Sequence, residues 1–385
     1  MNKLHEIEID LTIAKPPLPA FLGERLSHIL GEIVQTSDIR HLFTDHRYGG
    51  TSRDIDSAVL WLSPRFESAL SSDRIIITNG TKSAIHAILS FLVSPGGRVA
   101  TEDFSPLKVW SLLDILGLRH VPIECDAHGI LPDALERRCL QETIGALFIV
   151  PTLNNPNTYT TPYSRRLDIA EVARKNGVAI IEDDICGRLK SNAPPAFASL
   201  APDITWLVSG LAKCLGSGVR VGHIVGPDAG LVSKLTQRLR PLSGWHPAPI
   251  MAEIATRWIS DGTAEEVLAE IRKDLRIRQA LSGRILGDFG IQSDPEGLFF
   301  WLPLPRCGST DGIVQELRKD GVIVRSTDLY ASYTANDIRI RALRICIGST
   351  ELSSLEESLW LLQRAVQATV QNARARPAID KSIVM

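Results

Sequence analysis

The feature that most constrains this chain lies between residues 74 and 226, where one pattern recurs: a short β-branched run, a turn of small residues, then a helical period. "RIIIT" (74–78) followed by "NGTKSAIHAILSFLV" is the first instance. The runs "GRVAT" (97–101), "ALFIVPT" (146–152), "VAIIED" (178–183), "ITWLVSG" (204–210) and "VGHIVG" (221–226) predict further strands. Continuous apolar runs belong to strands buried on both faces, so the pattern predicts a largely parallel sheet covered by helices, an α/β architecture.

The pattern then changes. "DGTAEEVLAEIRKDLRIRQALSGRILG" (261–287) reads as a long amphipathic helix and "GLFFWLPL" (297–304) as a new strand. "GIVQELRKDGVIVRS" (312–326), "IRALRICIG" (340–348) and a helix near 351–371 complete a smaller α+β unit, and "NARARPAIDKSIVM" reads as a loose tail. A chain of 385 residues is long for one core, so two packed domains are expected. The expected division is a large domain over 40–260, a small domain made of 261–372 together with 1–39, and a tail at 373–385.

Composition narrows the function classes. Apolar residues make up 44% and charged residues 22%, as in ordinary globular proteins, and a net charge of -2 gives no nucleic-acid footprint. Cys125, Cys139, Cys186, Cys214, Cys307 and Cys346 lack CxxC spacing, and His86, His223 and His246 read as structural, so no metal site is expected. The start, "MNKLHEIEIDLTIAKPPLP", is broken by charges and prolines before any signal peptide or membrane span develops. The expectation is a cytoplasmic protein without nucleic-acid or membrane partners.

In an open parallel sheet, ligands collect beyond the carboxyl ends of the strands, so polar residues just after strands carry the chemistry. Four such places stand out: Asn79-Gly80-Thr81-Lys82, "LNNPN" (153–157), Asp183-Asp184 and "SGLAK" (209–213). Together they bring backbone donors, an amide, a carboxylate and an amine to one rim. Pyridoxal phosphate needs this assortment: a lysine for its aldehyde, a carboxylate to keep its ring nitrogen protonated, and an anion cup for its phosphate. Gly80-Thr81 opening a helix offers free N–H groups to a phosphate, and Arg220 adds a cation. The glycines at 216 and 218 are not a dinucleotide fingerprint, since they follow a lysine rather than a strand.

On these residues the chain resembles the class I/II aminotransferases of pyridoxal-phosphate fold type I, most closely the aminotransferase-like domain of MocR-type regulators without their DNA-binding domain. The resemblance rests on "TNGTKSAI" (78–85), "GILPDALE" (129–136), "PTLNNPN" (151–157), "IIEDDICG" (180–187), "SGLAKCLGSGVRVG" (209–222) and "LRICIG" (343–348), in the family's order over nearly the whole chain. It implies that Lys213 carries the cofactor covalently and moves the proton, and that Asp183 rather than Asp184 pairs with the ring nitrogen. Asn155, with Pro156 fixing its turn, would bond the ring hydroxyl, and Gly80, Thr81, Lys82 and Arg220 would hold the phosphate. Arg344, with Asn155, would bind the substrate α-carboxylate, while Arg339 and Arg341 read as a solvated face. It also implies a homodimer with active sites at the interface, Tyr48 reaching the neighbour's phosphate.

The chain departs from the pattern at several places. Cys186 stands where a tyrosine usually donates to the ring hydroxyl, and a thiol is a weaker donor. Pro106 stands where an aromatic usually stacks on the ring; Phe104 and Trp110 are nearby aromatics, and core packing is the plainer role for each. Gly210 and Ala212 replace serines common in relatives, and Lys82 replaces glutamine. The expected function is transfer of an amino group from an L-amino acid to a 2-oxo acid. The alternatives are a lyase or oxidase using the same cofactor, which would turn over without an oxo-acid acceptor, and a sensor that binds without turnover. Trp245 and Tyr330 would suit an apolar or aromatic substrate side chain.

Overall fold

A computed structural model describes residues 8–36, 39–241, 246–304, 310–326, 330 and 341–375. Its centre is a seven-stranded sheet with spatial order 75–78, 222–225, 205–210, 179–183, 146–149, 98–102, 119–123. Every residue of Ile75–Thr78, Ala146–Ile149 and Thr205–Gly210 is buried, as strands covered on both faces require. On one face Ile76, Phe148, Ile181, Val208 and Ile224 pack against the helices Thr81–Leu92 and Leu107–Ile115. On the other, Leu147, Ile149 and Ile180 meet the helices Pro132–Gln141 and Tyr163–Lys175. Phe148 is fully buried, and a side chain of that size adds roughly 2–3 kcal/mol by leaving water.

Two features of this sheet differ from the reading by pattern. Gly222–Val225 runs antiparallel to both its neighbours. The connection from Gly210 to Gly222 is only a short turn through Leu211–Lys213 and a loop, too brief for the crossover a parallel strand needs. The edge strand Arg119–Ile123 carries Pro122 and alternates in burial, so it lacks the continuous apolar run that marked the others.

A second sheet is antiparallel, with order 299–303, 342–346, 325–326, and is packed by the helices Thr263–Leu286, Thr310–Lys319 and Leu352–Ala375. The last helix runs to Ala375, beyond the expected end near 371: "QNARA" is made of residues that favour or tolerate helix, and Pro377 in the sequence is the first strong stop. Residues 376–385, Cys307, Trp245 and Arg339 lie outside the described residues. Near the start of the chain, Ile9–Asp10 pairs in parallel with Val322–Ile323, and the Leu11 carbonyl accepts from the Cys346 N–H at 2.8 Å. Among the described residues no helix is long and apolar enough to cross a membrane, and no group of three or more His, Cys, Asp or Glu side chains could hold a metal.

Candidate active site

The carboxyl ends of the parallel strands and the start of Gly222–Val225 share one rim, because the register pairs Gly222 with both Thr78 and Gly210. Lys213 follows directly from the strand that ends at Gly210. It lines a cavity of about 360 Å³ together with Lys82, Pro106, Lys108, Asn155, Asp183, Cys186, Tyr330 and Arg344. Of the residues expected at a cofactor or substrate, Lys82, Asn155, Asp183, Lys213 and Arg344 are therefore brought together. Burial lowers the Lys213 ammonium from its usual range, with the charges of Lys108 and Arg344 acting in the same direction and Cys186 and Cys346 against it. Its Nζ donates to the Ala14 carbonyl.

The two consecutive aspartates meet different fates. Asp184 is 1% exposed and accepts from Arg65 at 2.7 Å (Nε) and 3.0 Å (Nη2), a closed bidentate pair. Gly187 is needed beside it, since a Cβ there would lie 2.0 Å from an Asp184 carboxylate oxygen. Asp183, also 1% exposed, faces the cavity, and neither of its oxygens is in hydrogen-bond geometry. Among the described residues its ionic neighbour is Lys108, with Nζ 2.9 Å from Oδ2.

Gly80, Thr81 and Arg220 form a group beside Lys82. Gly80 precedes the helix Thr81–Leu92 at φ +85°, a left-handed value that favours glycine, and no side chain caps that helix. A Cβ on Gly80 would lie 3.0 Å from Arg220 Nη2, so the guanidinium rests on the turn. Gly210 also gains a reason here: a Cβ at that position would meet Thr81 Cγ2 at 2.7 Å, leaving no room for the serine of relatives. Uncapped N–H groups with an exposed guanidinium make a cradle for a phosphate.

Arg344, on the central strand of the small sheet, donates from Nη1 to Asn155 Oδ1 at 2.8 Å and from Nη2 to the Thr12 carbonyl. Its guanidinium lies over the rings of Tyr330 and Phe299, 5.0 and 5.3 Å from their centroids, and its buried Nε has no partner among the described residues. With Asn155 Oδ1 engaged, the NH2 of that amide remains as a donor. The turn that presents Asn155 hangs on Glu102, whose Oε1 accepts from the Val150 N–H (2.8 Å), Asn154 Nδ2 (3.3 Å) and the Tyr159 hydroxyl (3.3 Å). Burial pushes the Glu102 carboxyl up to about 7.

Other expectations are corrected or bounded. Phe104 packs edge-on to Trp301 at 5.8 Å and lines a different cavity, and buried Trp110 lies edge-on to His120 at 4.2 Å, so neither ring lines the Lys213 cavity. The wall at that level is Pro106 and Leu107. Tyr48 lies apart from Lys213, with Arg240 over its ring at 5.0 Å, and is 38% exposed. Cys186 is buried and its thiol is pushed up to about 12, so it stays protonated. His223 is 2% exposed and burial lowers it to about 4, a neutral core imidazole. Lys108, Glu102 and the carbonyls of Thr12 and Ala14 were missed by pattern; for Lys108 the available signal was its place just past a strand end on the same rim.

The comparisons agree with this geometry. A profile of the aminotransferase class I and II family matches residues 60–357, and the chain belongs to that family. Among curated relatives it is 27% identical over 344 residues to the uncharacterized HTH-type transcriptional regulator YdeF of Bacillus subtilis (strain 168), covering 89% of this chain and 73% of that protein. It is 24% identical over 264 residues to the mitochondrial kynurenine/alpha-aminoadipate aminotransferase of Bos taurus, covering 63% of this chain and 62% of the relative. Among solved structures, the kynurenine aminotransferase of Pyrococcus horikoshii superposes with a TM-score of 0.83 at 21% identity, covering 94% of this chain and 92% of that one. The fold is that of the type I pyridoxal-phosphate enzymes, with a mainly parallel central sheet.

Proposed function

We propose that this protein is a pyridoxal-phosphate-dependent aminotransferase that moves the amino group of an L-amino acid to a 2-oxo acid. One observation carries the reading: a half-buried amine (Lys213), a buried carboxylate whose oxygens make no hydrogen bond among the described residues (Asp183) and a buried guanidinium (Arg344) converge on one cavity of about 360 Å³. The residues fit the cofactor, since the buried Asp183 carboxylate, which makes no directed hydrogen bond among the described residues, keeps acceptor capacity for a ring N–H, and the Gly80–Arg220 cradle accepts an anion. When bound, pyridoxal phosphate supplies an aldehyde for an amine and a ring that draws electrons from the substrate Cα–H bond.

The chain's own groups do the rest. Burial keeps Lys213 Nζ closer to its neutral, nucleophilic form, so this residue would hold the cofactor's aldehyde and take a proton at the substrate Cα. Asp183 would hold the cofactor at its ring nitrogen. Asn155 would hold the ring oxygen through its NH2, with little help from Cys186, whose thiol is a poor donor. The N–H groups at Gly80 and Thr81, with Lys82 and Arg220, hold the phosphate. Arg344 binds the α-carboxylate, which takes the place of the Thr12 carbonyl. A second copy of the chain would complete the assembly: Leu26, Leu30 and Val34 form an exposed apolar stripe on the helix Leu22–Thr36, Phe43 is 63% exposed, and Tyr48 would reach the partner's phosphate.

The test is to add pyridoxal phosphate to purified protein, reduce with borohydride and map the modified peptide. The tag is expected on Lys213 and absent from Lys213→Ala; a tag elsewhere, or colourless protein, rejects the reading. The regulators among the relatives favour a second reading, a sensor that binds cofactor and amino acid without turnover. A panel of amino donors separates the two, because only the enzyme converts the cofactor to its pyridoxamine form.

A further inference from the structure

Asp183 is 1% exposed and has a cation of the chain's own beside it, Lys108 at 2.9 Å. Lys108 sits in the first turn of the helix Leu107–Ile115, on the sheet face that Asp183 shares, and its side chain is 21% exposed into the cavity that Lys213 lines. The contact joins charges without a directed hydrogen bond, since both Asp183 oxygens remain outside hydrogen-bond geometry. Nothing in the cofactor chemistry described above uses this second amine.

We infer that Lys108 is a positioning residue, the resident counter-ion of Asp183, which competes with the cofactor's ring nitrogen for that carboxylate. This rests on the pyridoxal-phosphate reading of the cavity. A buried carboxylate binds a second cation less well once it has a first, because each arrives at a partly neutralised partner. Cofactor binding therefore has to share or displace the Lys108 ammonium, and the apoprotein is stabilised relative to one whose Asp183 stands unpaired. Removing the amine leaves the carboxylate uncompensated in the free protein and fully available to the ring nitrogen.

The experiment titrates pyridoxal phosphate into apoprotein of wild type, Lys108→Met and Lys108→Arg, following the absorbance of the bound cofactor. Lys108→Met is expected to bind at least about fivefold more tightly, the low end of ordinary coupling between sites, and Lys108→Arg to stay close to wild type. Equal or weaker binding by Lys108→Met overturns the inference, as does equal tightening in Lys108→Arg, which would make size rather than charge the cause. If Lys108→Met does not fold, Lys108→Gln takes its place. A cofactor-free arm measures denaturation of apoprotein carrying Lys108→Met, Asp183→Asn or both: coupled effects support the pair, and strictly additive ones overturn it. Failure of every protein to bind cofactor rejects the pyridoxal-phosphate reading and the competition built on it, while coupling in the cofactor-free arm would still establish the ion pair.

Discussion

Two faces of one sheet end in opposite electrostatic conditions at the strand Ala179–Asp183. On the face covered by the helix Tyr163–Lys175, Glu182 and Asp184 are wholly buried, with Arg166 Nη1 3.5 Å from Glu182 and Arg65 clamping Asp184 at 2.7 Å. On the face covered by Leu107–Ile115, Asp183 is as deeply buried yet meets, among the described residues, an undirected ammonium and a cavity. The pleat alone separates them, since successive side chains point to opposite faces. The first face is complete within the chain; the second keeps unspent capacity for a ligand.

Substitutions can break or sharpen this contrast. The largest expected effect is Arg65→Met, which strands the Asp184 charge and should cost about 3–5 kcal/mol in urea denaturation, as removal of one partner of a buried pair does. Next comes pH. His223, whose 2%-exposed ring belongs to the first face, has a folded-state pKa of about 4 against an ordinary 6.5, so its contribution is present above pH 6.5 and lost as pH falls toward 4. That loss should be on the order of 3 kcal/mol between pH 7 and pH 4, and His223→Asn should flatten the slope in denaturation curves. Gly210→Ser should cost about 2 kcal/mol and weaken cofactor binding, because its Cβ would push Thr81 off the phosphate cradle. The smallest change in stability belongs to Asp183→Asn, under about 1 kcal/mol because Lys108 can turn to water, yet that variant should lose most cofactor affinity. A loss as large as that of Arg65→Met would erase the contrast.

Much of this was readable in the chain itself, for physical reasons that differ by element. The strands around 75–78, 146–149, 179–183 and 205–210 announced themselves because burial on both faces demands unbroken apolar runs. Arg119–Ile123 did not, since an edge strand tolerates Pro122 and polar alternation, and the reversal at Gly222–Val225 follows from connection length rather than composition. At the candidate site, Lys213, Asp183, Asn155 and Arg344 were named by motif and line one cavity, but motif spacing alone could not say why Asp183 rather than Asp184 faces that cavity; Arg65 answers that from 119 residues away in sequence. Lys108 belongs to no motif, and its one signal was position, just past the strand Arg98–Glu102 on the same rim. Gly210, a departure by motif, is explained only by the proximity of Thr81 in space.

The stretch from Leu11 to Ala14 ties these regions together. Leu11 is bonded on both sides, its N–H donating to the Ile323 carbonyl at 2.9 Å and its carbonyl accepting from Cys346 at 2.8 Å, while the Thr12 and Ala14 carbonyls serve Arg344 and Lys213. The backbone thus offers an oxygen to each of the two cations, so both are oriented from within the chain. The same stretch is bonded to the strand Ala342–Cys346, so the two cations and the small sheet share one backbone tether.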